Sequence, residues 1–188
     1  MLISDSEFIR AEKIPMTKKN IRLLVLAESN IEKNSIVYDI GGGTGALSID
    51  AARICSEGFV YTLEKNPASV DLIRQNLEKF HVENLKLIES NAPDGMEALP
   101  PADVILIGGS GGNLEKILER SVENLKSHGR IIVTAITLQT ISTALDFFND
   151  RSEFHCESIQ VQINRIERVK NLDMFRAENP IFILNAWR

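Results

Sequence analysis

The chain has 188 residues, 44% hydrophobic and 25% charged, which suits one globular domain with one sizeable core. Its 26 acidic against 21 basic residues leave a formal charge of -5, which argues against a general nucleic-acid binder, because neutralising phosphates takes a concentrated basic face. Cys55 and Cys156 stand far apart and the three histidines show no ligand spacing, so neither a disulfide framework nor a metal site is expected.

Residues 1–16 mix charged and apolar positions without a long period, although Ser4 and Glu7 fit a capping box for a short helix through Arg10. Thr17 is placed to cap a helix running to about Ser29, with Ile21, Leu24, Val25 and Glu28 along one face. The run Ile36–Ile40 then reads as a strand that breaks into Gly41-Gly42-Gly43-Thr44-Gly45, and a helix is predicted over 44–56 with Gly58 as its stop. A second strand over 59–63 is closed by Glu64. Asn66-Pro67 supplies an N-cap and a proline at the first helical position, ahead of a face made by Val70, Ile73, Leu77 and Phe80.

A third strand is predicted over 85–88, then a connection over 89–101 with room for one short helix, then a fourth strand over 104–107. Asn113 caps the next helix, whose apolar face is Leu114, Ile117, Leu118, Val122 and Leu125. His128-Gly129 stops it before a fifth strand over 130–134, and a last helix covers 138–150. The ending differs: 156–164 and 181–186 are strand-like runs expected to pair antiparallel across a charged, irregular connection. These elements add up to an α/β, Rossmann-like fold, an open and mostly parallel seven-stranded sheet with one antiparallel strand and helices on both faces. A single domain over 1–188 is expected, and ligands of such sheets lie outside the strand carboxyl ends at the switch point.

The turn after the first strand is built to hold something close, since glycines take positive φ and let another group approach the backbone. Gly41, Gly43 and Ala46 satisfy the dinucleotide spacing, with Glu64 near the place of its ribose-binding acid. Asp39 argues for a different ligand. At about 4 Å and an effective dielectric of about 20, its carboxylate would repel a passing pyrophosphate charge by roughly 4 kcal/mol. A ligand with a cation there fits better, and S-adenosyl-L-methionine carries an ammonium group beside its carboxylate, with a sulfonium nearby. The acid can face the ammonium while the loop and helix N-terminus face the carboxylate.

The segment therefore resembles the first motif of the class I methyltransferases, and the residues downstream are consistent with that. Glu64 would accept from the ribose hydroxyls of the cofactor, a role for a two-oxygen acceptor. Asn91-Ala92 comes after the third strand, where such enzymes carry an acid and a small residue at the adenine edge. Gly108-Gly109-Ser110-Gly111-Gly112 after the fourth strand would let cofactor or substrate lie against bare backbone, and it lacks the signatures of amino-group methyltransferases.

Five phrases together resemble one family: Phe8-Ile9-Arg10 through Lys13-Ile14-Pro15-Met16-Thr17-Lys18, Asp39 through Gly45, Ile107 through Gly112, Thr134-Ala135-Ile136-Thr137, and Ala177-Glu178-Asn179-Pro180. They are similar to the cobalt-precorrin-6B methyltransferases (decarboxylating) of the anaerobic cobalamin pathway. That resemblance implies cofactor contacts by Thr17, Gly41, Gly42, Gly43, Thr44, Gly45, Glu64 and Ala92, beside the Asp39 and Asn91 contacts expected above, and it implies a corrinoid substrate and a homotetramer. It also implies methylation of carbon 15 with loss of carbon dioxide from the ring C acetate arm. An electron-rich ring carbon can attack the methyl directly, so alignment, worth about 7–11 kcal/mol in well-oriented systems, carries the catalysis, and no acid or base is singled out.

Such a substrate is rich in carboxylates, so an acidic protein must gather cations locally. The candidates are Arg10, Lys13 and Lys18 in the lead-in and Arg165, Arg168, Lys170 and Arg176 in the C-terminal connection, with Gly109 and Ser110 on the loop between. Residues 1–16 would then lie over the active site. Two alternatives stay open: another class I enzyme such as a tRNA adenine methyltransferase, or a non-catalytic cofactor-binding subunit. With no apolar run of membrane-spanning length and no basic, then apolar, leader, a cytoplasmic protein without a membrane partner is expected.

Overall fold

The apolar run Ile36–Ile40 forms the central strand β1, buried along most of its length as a strand with neighbours on both sides and helices on both faces must be. The computed structural model describes residues 1–188 throughout. Ahead of β1 lies helix α1 (Lys19–Ser29), and after it α2 (Ala46–Ile54), β2 (Phe59–Glu64), α3 (Pro67–Phe80), β3 (Leu85–Glu89) and β4 (Ala102–Ile107). The chain continues through α4 (Leu114–Asn124), β5 (Leu125–Ala135), α5 (Leu138–Asn149), β6 (His155–Val161), β7 (Asn164–Val169), β8 (Leu172–Ala177) and β9 (Ile181–Trp187).

Seven strands share one sheet in the order β3-β2-β1-β4-β5-β9-β6, all parallel except β9, which runs antiparallel between β5 and β6. The chain winds outward from β1 to β3 and then returns to place β4 on the other side of β1. That reversal is the switch point. Two apolar clusters cover the sheet. One holds Tyr38, Ile40, Ile105 and Ile107 with α4 and α5. The other holds Val37, Leu106 and Ile132 with α1, α2, Ile3 and Phe8. Alternate residues of β1 thus serve opposite faces, as the two-residue period of a strand requires.

Several boundaries differ from the sequence reading, each for a physical reason. The lead-in forms only a three-residue 3-10 turn, Asp5–Glu7, rather than a helix through Arg10. Thr17 does not cap α1; the Asp5 carboxylate does, accepting from the Lys19 N–H at 2.8 Å, so a remote side chain takes the local one's place. Gly58 is not the stop of α2, which closes at Cys55. The connection over 89–101 contains turns and no helix. Strand β5 begins at Leu125, well before His128-Gly129, and helix α4 therefore ends at Asn124. The predicted irregular connection is a second, two-stranded sheet, β7 with β8, held across its strands by Arg168–Asp173 and Arg176–Glu167 ion pairs.

Candidate active site

Because β1 and β4 end side by side, the turns beyond them meet over the switch point. Ile40 closes β1, and its carbonyl accepts the N–H groups of both Gly108 and Gly109 beyond β4. Gly41 has φ +82°, and a Cβ there would lie within 2.8 Å of three backbone atoms of Gly109. The two glycine turns touch backbone to backbone, and only glycine at position 41 permits it. Between them and the ends of β2 and β3 opens a cleft of about 280 Å³, open to solvent on one side and near the lower end of the range of sites for small molecules. Its walls include Gly41, Gly43, Glu64, Asn91, Ala92, Gly109 and Ser110, so the structure brings these sequence candidates together.

Glu64 is the organising side chain of that cleft. Its Oε1 accepts from the N–H groups of Lys65 and Asn66, both at 2.9 Å, and its Oε2 accepts from Gly43 at 2.9 Å. The glycine loop is therefore fastened to the end of β2 through one carboxylate. Of about four acceptor directions on such a group, one remains, on Oε2. Four of the five loop N–H groups are committed too: Gly41 and Gly42 donate to the Leu63 carbonyl, Gly43 to Glu64 and Gly45 to the Gly42 carbonyl. A ligand in the cleft thus lies against glycine backbone made accessible by missing side chains, not against a nest of free amides.

Asp39 sits elsewhere. Its neighbours in β1, Tyr38 and Ile40, face α4 and α5, so its own side chain faces α2, where the Ser48 hydroxyl donates to it. It is 2% exposed and does not line the cleft. Burial pushes its pKa up from 3.8 to about 6, opposed by the Ser48 hydrogen bond and helped by the nearby Glu64 charge. A carboxyl whose folded pKa lies above its unfolded one lends stability below about pH 3.8, and that contribution is lost as pH rises through about 6, worth about 3 kcal/mol. Relative to Asp39→Asn, the natural chain should therefore lose roughly 2 kcal/mol of unfolding free energy between pH 4 and 7. Urea titrations of the two proteins at both pH values that ran parallel would show that Asp39 stays unperturbed.

The lead-in segment reaches the same loop. A Cβ on Gly43, which has φ +57°, would stand 2.8 Å from the Pro15 carbonyl oxygen, and Pro15 lines the cleft. The strap is anchored behind by Asn76, whose side chain accepts from the Ile9 N–H at 2.8 Å and donates to the carbonyls of Ile9 and Thr44. Thr17, Gly42, Thr44 and Gly45 lie in the strap or the loop without lining the cleft. Thr17 offers its carbonyl to Arg22, Gly42 packs on Thr62, and Thr44 is 1% exposed.

The basic candidates do not converge on the cleft. Arg10 and Lys13 are exposed on the strap, Lys18 lies 3.9 Å from Glu178, and Arg176 sits on β8 paired with Glu167 at 3.1 Å. Arg165 is likewise held by Glu178 at 2.6 Å. Sequence reasoning missed Lys65, whose ammonium reaches across to Gly111, so that a Cβ there would meet Nζ at 2.4 Å. Its position directly after the strand-ending acid was the available signal.

A sheet in the order β3-β2-β1-β4-β5-β9-β6 with β9 alone antiparallel, and a glycine turn and a strand-ending acid at its switch point, is the arrangement of the class I methyltransferases. Known proteins narrow it further. The family model described as a precorrin methyltransferase domain matches residues 9–188, and the chain belongs to that family. A probable cobalt-precorrin-6B C(15)-methyltransferase (decarboxylating) of Sulfurisphaera tokodaii is 38% identical over 97% of this chain and 95% of its own. The crystal structure of a precorrin-6y C5,15-methyltransferase from Geobacter metallireducens superposes with a TM-score of 0.93 at 36% identity, covering 99% of this chain and 96% of the other. A precorrin 8w decarboxylase from Methanobacterium thermoautotrophicum gives 0.92 at 31% identity, with 98% of both chains covered.

Proposed function

We propose that the chain methylates carbon 15 of cobalt-precorrin-6B with S-adenosyl-L-methionine and releases carbon dioxide from the ring C acetate arm, yielding cobalt-precorrin-7. The observation that carries this is the likeness, over nearly the whole length of both chains, to a relative so named. The cleft fits the cofactor on its own terms. Positive-φ glycines at 41 and 43 leave room for close approach, and the free lone pair of Glu64 suits a ribose hydroxyl. The Ala92 N–H at the far wall suits the adenine edge. When bound there, the cofactor supplies an electrophilic methyl on a sulfonium. The chain's own residues bind, align and exclude water.

Purified protein incubated with methyl-labelled cofactor and cobalt-precorrin-6B should incorporate one label per carbon dioxide released. Label appearing in tRNA, or cofactor binding with no methyl transfer, would overturn the assignment in favour of the rival readings. We also infer a cytoplasmic homotetramer. No helix is long and apolar enough to cross a membrane, and the β7–β8 hairpin leaves Ile166, Leu172 and Phe175 exposed, the kind of surface that subunit contacts cover. Sedimentation showing a single species of 21.0 kDa would remove the tetramer.

A further inference from the structure

A second, smaller hollow, of about 110 Å³, shares the wall Gly108-Gly109-Ser110 with the cofactor cleft and continues along the carboxyl end of β5 to the start of α5. Whatever occupies one cavity faces the occupant of the other across little more than two glycines. The lining of this second cavity contains no charged side chain. Its polar groups are hydroxyls. Thr137 and Thr140 hold their oxygens 2.8 Å apart, and the Thr140 N–H donates to Thr137. One hydroxyl proton of that pair is spent inside it, and the other is free to donate outward. Thr134 has its hydroxyl on the Ile107 carbonyl at 3.4 Å, and Ser110 stands half-buried on the shared wall.

At the lip of the cavity Ile136 is 71% exposed, and two residues on, opening α5, Leu138 is 70% exposed. Large aliphatic side chains standing in water beside an uncharged, hydroxyl-bearing hollow call for an apolar surface to cover them, and the shared wall says which surface that is. A nucleic-acid backbone would need cations here and finds none.

We propose that this hollow takes one carboxylate-bearing arm of the methyl acceptor, to which Ser110 and the Thr137–Thr140 pair donate, while the broad, flat macrocycle itself lies over the mouth with its face packed on Ile136 and the neighbouring Leu138. The inference rests on the acceptor class proposed above and adds where, and by which residues, that acceptor is held. It also shifts recognition of the carboxylates from the paired arginines of the hairpin to neutral hydroxyls beside the reacting carbon.

The test is the double variant Ile136→Ser/Leu138→Ser beside the natural chain, assayed with cobalt-precorrin-6B and titrated calorimetrically with S-adenosylhomocysteine. Both side chains are mostly in solvent, so folding is expected to be retained. The expected result is a KM for the macrocycle raised at least tenfold with Kd for S-adenosylhomocysteine within twofold, and most of the lost affinity returned when an apolar residue is restored, as in Ile136→Leu with Leu138 kept. Methylation by the natural chain together with an unchanged KM in the double variant would overturn the subsite and leave the proposed reaction standing. Cofactor binding by the natural chain with no methylation of the macrocycle would overturn that reaction, and the subsite with it.

Discussion

Replacing Arg22 by methionine should lower the unfolding free energy by about 3–5 kcal/mol, because it strips the partner from carboxylates that the fold has taken out of water. The Arg22 side chain is 0% exposed, and Asp50, which accepts from its Nε at 2.8 Å, is 1% exposed. The rest of the guanidinium is also engaged. One terminal nitrogen donates to Asp5 at 2.8 Å and to the Thr17 carbonyl at 2.7 Å, the other to the Ile3 carbonyl at 2.7 Å, and the Phe8 ring lies 5.0 Å from its carbon. Asp50 in turn accepts from the Ile3 N–H at 3.1 Å. One side chain on α1 therefore ties the lead-in segment to both α1 and α2. For a chain of this size the loss corresponds to a fall in Tm of roughly 10 °C.

Lysine should not rescue the position, since a point charge cannot serve a forked set of acceptors on several sides. Arg22→Met/Asp50→Leu should recover part of the stability by removing both charges together, since burying an unpaired carboxylate costs more than burying neither. Because the strap ends with Pro15 against Gly43, cofactor affinity should fall in the single variant as well. A denaturation midpoint for Arg22→Met within about 1 kcal/mol of the natural chain would show that the buried network is dispensable.

What the sequence makes legible here is what local rules decide. The run Ile36–Ile40 with its glycine cluster, the Asn66-Pro67 helix start, whose Asn66 side chain accepts from Ala68 at 3.0 Å, and the alternation of strands and helices all arise from short-range chemistry. The antiparallel pairing of β6 with β9 stems from two apolar runs with nothing helical between them. The β7–β8 hairpin stayed hidden because most of its residues are exposed on both faces, so no alternation of burial marks them as strands, and ion pairs between its strands hold it together instead. Asp39 shows a different limit. Its place at a strand end suggested a group facing the ligand, whereas the two-residue period that puts Ile40 at the cleft turns Asp39 toward Ser48. Arg22, Asp50 and Asn76 read as ordinary helical polar residues, and only the fold reveals that they hold the strap. The paired state of Arg165 and Arg176 is likewise a long-range fact, invisible in a count of charges.

Gly41→Ala should weaken S-adenosylmethionine binding by more than a hundredfold, close to 3 kcal/mol, and abolish methyl transfer at ordinary cofactor concentrations. Two costs coincide at this position. Alanine pays about 1–2 kcal/mol for φ +82°, a conformation whose crowding of Cβ against the backbone glycine escapes. The new methyl group also meets Gly109 oxygen at 2.7 Å and its Cα and nitrogen at 2.8 Å, and these are backbone atoms that no rotamer change can move aside. The turns after β1 and β4 must then separate, straining the bonds from Gly108 and Gly109 to the Ile40 carbonyl, at 3.0 and 3.2 Å, that set the floor shared by both cavities. Gly109→Ala provides the contrast, since its Cβ would come no nearer than 3.7 Å to Gly41 and its φ is not left-handed, so its loss should be several-fold at most. Calorimetric titration of both variants with S-adenosylhomocysteine separates the outcomes. If the two substitutions weaken binding equally, the backbone contact between the turns is not what shapes the cofactor site.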